Sequence, residues 1–236
     1  MIPLRDSAER RGIPFFAWSL VIGNVVVFVH QHFLLDARSE QVAFVASFAA
    51  VPAEITAALT GQGPFVEGLL PVVTSMFLHA GFFHLIGNMW FLWIFGDNVE
   101  GALGHFRFLL FYLGTGVLAT TVHFLIEPGS QIPLVGASGA IAGVMGAYLV
   151  QFPTSRVTVL LPLVIIWTTV QLPAFVMLLY WLTIQFVNGM AGASGGGGVA
   201  WWAHVGGFVA GAALGRLLDR RHRSGGLAAR ARWRRY

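Results

Sequence analysis

From residue 13 onward the chain is a succession of apolar runs, at 13–29, 77–95, 108–126, 134–151, 157–187 and 199–218, with only short polar breaks between most of them. A backbone inside hydrocarbon must satisfy its own hydrogen bonds, so runs of this kind fold as spanning helices. Each span needs roughly 20 residues, and 236 residues hold about six of them in one bundle with no room for a second domain. Composition agrees, with 56% of residues hydrophobic and 10% charged, against about 25% charged in a soluble domain.

The run at 157–187 is the exception. At about 1.5 Å per residue it is far too long for one span, and Pro162 and Pro173 divide it. The arginines decide between one span and two. An even number of spans puts thirteen of the fourteen basic residues, all arginine, on the cytoplasmic side and leaves Arg38 outside; an odd number exports the eight from Arg216 onward. The expected fold is therefore an all-α membrane protein, a six-transmembrane-helix bundle with both termini cytoplasmic. Residues 157–171 form a non-spanning segment on the cytoplasmic side, and a span starts near Pro173. Residues 1–12 form a cytoplasmic N-terminal segment, 13–218 the six-span membrane domain, and 219–236 a basic cytoplasmic tail.

Other boundaries follow from polarity. His30-Gln31-His32 interrupts the first apolar run, and no small-residue cleavage site marks it as a signal peptide. The apolar stretch at 42–51 is too short to cross and lies at the interface or tucks into the bundle. Residues 97–107 read as a polar connection. The pI near 10.3 reflects arginines at the flanks of spans, so no nucleic-acid partner is implied; the partner is the lipid bilayer. The absence of cysteine excludes disulfides and thiolate chemistry. The all-arginine usage fits a GC-rich bacterial genome and hence a bacterial plasma membrane.

Against this background the stretch 134–151, LVGASGAIAGVMGAYLVQ, carries Ser138 where a helix begins, and a polar group there needs a reason. Spans four and six both run from outside to inside, so Ser138 and His204 share a level in the outer half. His84 and Asn88, at i and i+4 on one face of span two, reach the same level. Small-residue rows, Gly139 and Gly143 on span four and Gly207, Gly211 and Gly215 on span six, let two backbones approach closely. A serine hydroxyl is a poor nucleophile without a base and oxyanion donors. His204 is the candidate base; His84, Asn88 and the Ser138 N–H are candidate donors. With no carboxylate in the outer half of a core span, a Ser-His dyad remains rather than a triad.

Three motifs, HAGFFHLIGN from His79, Gly136-Ala137-Ser138-Gly139, and HVGGFVAGAALG from His204, occur in the order of the rhomboid family of intramembrane serine proteases. The resemblance covers residues 71–215. It implies Ser138 as nucleophile, His204 as base, His84 and Asn88 at the oxyanion site, His79 supporting the first loop, no cofactor and no metal. It implies transmembrane protein substrates, cut within or beside their spans by a site facing the outer side. Two departures stand out: the first loop has no tryptophan, and Ala142 replaces the aromatic residue that packs on the base in some members. The other readings are a zinc site on His79, His84 and His204, a small transporter, and a non-catalytic rhomboid-like protein that binds transmembrane segments. His30, His32, His105, His123 and His222 read as interfacial, and Trp90, Phe91 and Trp93 as lipid-facing or packing residues.

Overall fold

The computed structural model describes residues 1–9, 12–163, 166–192 and 199–218. The expected basic tail at 219–236, Arg10, Arg11 and residues 193–198 of the glycine-rich loop lie outside them.

The chain is predominantly helical. Strand β1 (Ile2–Asp6) leads into α1 (Phe15–Val29). Four short helices follow, α2 (Arg38–Phe48), α3 (Pro52–Leu59), α4 (Phe65–Leu69) and α5 (Pro71–Thr74), then the long α6 (Phe82–Leu103) and α7 (His105–Ile126). The last elements are α8 (Ser138–Gln151), a hairpin of β2 (Arg156–Leu163) and β3 (Ile166–Pro173), α9 (Ala174–Met190) and α10 (Trp201–Leu218).

Helix α8 is the centre. Every residue from Ala140 to Tyr148 is buried, as a helix apolar on all sides must be, and α6, α7, α9 and α10 all pack against it. Its small residues set the spacing. A Cβ built on Gly207 would strike the Gly139 carbonyl, one on Gly211 the Gly143 backbone, and one on Gly215 would press on Ala147. The partners advance by four residues on both helices, so α8 and α10 run parallel in a seam closed by backbone atoms. Gly211→Leu is expected to force this seam apart and to destabilise the protein by at least the roughly 1–3 kcal/mol of an overpacked core. Thermal unfolding and an activity assay check it, and an unchanged melting temperature with full activity would contradict the close packing.

Large apolar side chains such as Phe83, Leu125, Met190 and Leu217 face outward, an exterior suited to lipid rather than water. Among the described residues, Phe15–Leu34 and His105–Ile126 are each long and apolar enough to cross a membrane. Phe65–Phe77 and Phe82–Leu103, bent by 75°, form a third span if taken as one broken element. Ser138–Gln151 and Ala174–Met190 are apolar but shorter. The protein is an integral membrane protein.

The structure adds to or departs from the sequence reading at four points. Beside its helices the mostly helical fold carries a small antiparallel sheet that was not expected, β1, β2 and β3 in that order, with Val157 opposite Leu172 and Ile2 opposite Leu160. Its strands alternate, Val157 and Val159 buried and Trp167, Thr169 and Gln171 exposed. This period of two, with many β-branched residues, marks a strand and not a helix. The N-terminal segment is docked on the helices: Trp90 Nε1 donates to the Pro3 carbonyl at 2.6 Å, and Tyr148 and Asn98 donate to Asp6 at 2.5 and 2.9 Å. The first helix is not broken at His30; it continues as a π-helical turn over His30–Leu34. Finally, residues 97–103 are the buried end of α6 and not a connection, which shrinks to Gly104 at φ 86°. Glu100, fully buried, accepts from the N–H groups of Phe16 and Ala17 at 3.0 and 2.7 Å and meets His105 Nδ1 at 2.5 Å. A carboxylate at a helix N-terminus satisfies donors that have no partner within the helix. Glu100→Ala should cost about 1–3 kcal/mol, seen as a lower melting temperature; an unchanged one would show that these donors need no acceptor.

Helix α2 contributes no buried residue. His123, expected at an interface, is buried within α7.

Candidate active site

Ser138 opens α8 after a short segment pinned on two sides. Leu134 exchanges backbone hydrogen bonds with Ala50, at 2.7 and 3.2 Å, and Gly136 N–H donates to the Ser75 carbonyl at 2.9 Å. Gly136 has φ 117°, where an L side chain is strained, and a Cβ there would lie 2.7 Å from His84 Cε1 and Nε2. Glycine at this position lets the His84 ring lie against the backbone two residues before the serine. Gly139 performs a similar task toward α7, where a Cβ would come within 2.7 Å of the Ala119 methyl.

His204 sits in the first turn of α10, and the parallel seam with α8 brings its Nε2 to 2.7 Å from Ser138 Oγ. Its other ring nitrogen, Nδ1, lies 2.8 Å from Gln185 Oε1 on α9. Trp181, one turn earlier on α9, has its ring centre 5.7 Å from that of His204 at an interplanar angle of 34°; Trp201 approaches edge-on at 6.3 Å. Ala142 is fully buried and supplies no ring, so the aromatic surface beside His204 comes from α9 and α10.

Ser138, His204, His84, Asn88, Phe91 and Trp181 share the wall of a cavity of about 520 Å³, a size typical of small-ligand and peptide-segment sites. Asn88 is nearly buried, and its Nδ2 has no hydrogen-bond partner among the described residues. A buried amide donor without an acceptor is costly and rare. His79 is fully buried with its ring 5.1 Å from that of His84, and its backbone exchanges bonds with the Gln31 side chain at 3.1 and 3.4 Å. It packs behind His84 rather than lining the cavity.

The zinc arrangement does not form. Both His204 nitrogens are engaged, and among the described residues no three His, Asp or Glu side chains converge to hold a metal ion. Of the tryptophan-rich stretch on α6, Trp93 stacks on Trp18 at 6.0 Å, Trp90 ties down β1, and Phe91 faces the cavity. Gln185 is the residue that motif reading missed. Its signal was present: one amide within the apolar run 174–187, where a polar side chain defaults to a functional one.

A family model described as the Rhomboid domain matches residues 67–221. A putative rhomboid protease, YdcA of Bacillus subtilis, is 42% identical over 78 residues, covering 33% of this chain and 39% of that protein. The mitochondrial presenilin-associated rhomboid-like protein of Bos taurus is 35% identical over 92 residues, 38% of this chain and 24% of its own length. RHOMBOID-like protein 6, mitochondrial, of Arabidopsis thaliana is 33% identical over 159 residues, 65% of this chain and 45% of that protein. The chain thus spans less than half the length of each of these relatives. The family match contains Ser138, His84, Asn88 and His204, and it takes in well over half of the sequence: the chain belongs to the rhomboid family.

Proposed function

We propose that this protein is an intramembrane serine endopeptidase, cutting a peptide bond in or beside a transmembrane segment of another membrane protein. One observation carries the reading: the Ser138 hydroxyl and His204 Nε2 stand 2.7 Å apart on the wall of a cavity among apolar helices. Ser138 Oγ attacks the substrate carbonyl and its proton passes to His204 Nε2. The negative charge that develops on the carbonyl oxygen is met by Asn88 Nδ2, the His84 ring and the Ser138 N–H, which as the first residue of α8 has no acceptor within the helix. His204 returns the proton to the leaving amine as the C–N bond breaks. A water molecule deprotonated by His204 then hydrolyses the acyl ester and frees Ser138. No cofactor takes part.

In this reading α1, α6, α7, α8, α9 and α10 are six spans with both termini cytoplasmic, as the arginines support, in a bacterial plasma membrane with the cavity toward the outer side. The fourteen residues of α8 measure about 21 Å, against roughly 30 Å of hydrocarbon. With the far end of α8 at the sheet-bearing face, Ser138 stops about 10 Å short of the opposite surface. A non-catalytic binder of transmembrane segments would have no use for the alignment of serine and base.

The test is a fluorophosphonate probe applied to the purified protein in detergent micelles. A stoichiometric adduct on the peptide containing Ser138 is expected, and no adduct under conditions that label a known rhomboid protease would defeat the reading.

A further inference from the structure

The base is held from a helix that none of the three motifs includes. Of the four groups around the His204 ring, Gln185 and Trp181 both belong to α9, one turn apart. We propose that Gln185 is a positioning residue for the reaction: its side-chain oxygen, accepting from His204 Nδ1–H, selects the tautomer whose Nε2 lone pair faces Ser138. This rests on the serine-protease reading above.

A neutral imidazole carries one ring proton and can hold it on either nitrogen. If the proton sits on Nε2, it points at Ser138 and the ring cannot act as a base there. An acceptor at Nδ1 removes that choice, which in soluble serine proteases is the task of an aspartate. No carboxylate stands beside Nδ1 among the described residues; the group at 2.8 Å is the Gln185 amide. An amide has an acceptor and a donor end, so its orientation matters. The Gln185 amino group donates to the Trp181 carbonyl at 3.3 Å, and a carbonyl can only accept. Turned around, the amide would set its oxygen against that carbonyl and its amino group against Nδ1. The bond to α9's own backbone therefore fixes which end meets the base.

The packing around the amide holds it in place. Gln185 is 5% exposed and shares the buried face of α9 with Ala174, Met177, Leu178 and Gly189. Trp181 flanks the imidazole on this side, and its ring also stacks on Phe208 at 6.1 Å. Histidine orientation, supplied from α8 by an aromatic ring in some relatives, is here supplied from α9 by an amide and an indole.

The plain alternative is that Gln185 only ties α9 to α10. The two differ in what happens to the His204 tautomer. In the full-length protein in micelles, Gln185→Leu is expected to slow fluorophosphonate labelling of Ser138 and to lower kcat by about 10- to 100-fold, with KM unchanged. In ¹⁵N spectra of histidine-labelled protein, with His204 assigned by substitution, it is expected to lose the Nδ1–H form. Gln185→Glu, which keeps an acceptor oxygen, should recover most of the rate and the Nδ1–H form. Should Gln185→Leu fail to fold, Gln185→Asn, which withdraws the amide by one methylene, is expected to show the same loss. Wild-type labelling and an unchanged tautomer in Gln185→Leu or Gln185→Asn would overturn the assignment, as would a folded Gln185→Glu no faster than Gln185→Leu. A tautomer that depends on Gln185 in a protein whose Ser138 never reacts would uphold the positioning role and defeat the protease reading instead.

Discussion

Ser138→Ala and His204→Ala are each expected to abolish proteolysis, a loss of at least about 10⁴ in kcat, with the double variant no worse than either single one. The two side chains share one hydrogen bond of 2.7 Å, and in the proposed mechanism neither works without the other, because the hydroxyl needs a base. Residues acting as one unit are grossly non-additive. Both variants should insert and fold, because Ser138 and His204 lie at the mouth of the α8–α10 seam and leave its glycine contacts at Gly207, Gly211 and Gly215 untouched. Near-wild-type turnover in His204→Ala would remove His204 from the chemistry.

Asn88→Ala isolates the oxyanion site. Loss of one such donor typically lowers turnover by about 10² to 10³, and the loss should fall on kcat, since the contact strengthens only as charge develops. Asn88 Nδ2 has no partner among the described residues, so its removal breaks no hydrogen bond seen between the helices there. KM and the melting temperature are therefore expected to change little. A fall in activity matched by a fall in melting temperature, with the surviving folded fraction fully active, would make Asn88 a helix tie and not an oxyanion donor.

The site was more legible in the sequence than the fold around it. Ser138, His204, His84 and Asn88 stood out as candidates because polar groups in apolar runs are costly and few, and all four line one cavity. What orients His204 could not be read from Ala142, since the groups responsible, Gln185 and Trp181, come from a different helix and only packing brings them there. Helix α6 was cut short for a related reason: Asp97, Asn98 and Glu100 look like a polar connection until their partners at Phe16, Ala17 and Asp6 are known. Such partners lie more than eighty residues away in sequence. The hairpin at 156–173 is different, because its alternation was visible in Val157, Val159 and the Thr169-to-Leu172 stretch. Hydropathy alone hid it, since strands and helices of one composition have the same mean. The strand Ile2–Asp6 is too polar and too short to stand out without the β2 edge on which it pairs.

The most direct measurement uses proteoliposomes holding the full-length protein and a panel of single-span membrane proteins, with products weighed by mass spectrometry. Cleavage of at least one panel member at a single bond within or beside its span is expected, present in the wild type and absent with Ser138→Ala at equal reconstitution. Equal cleavage by the Ser138→Ala protein would contradict serine catalysis. Intact substrates throughout, from a wild-type protein whose Ser138 also resists a fluorophosphonate, would leave a rhomboid-family protein that does not cleave.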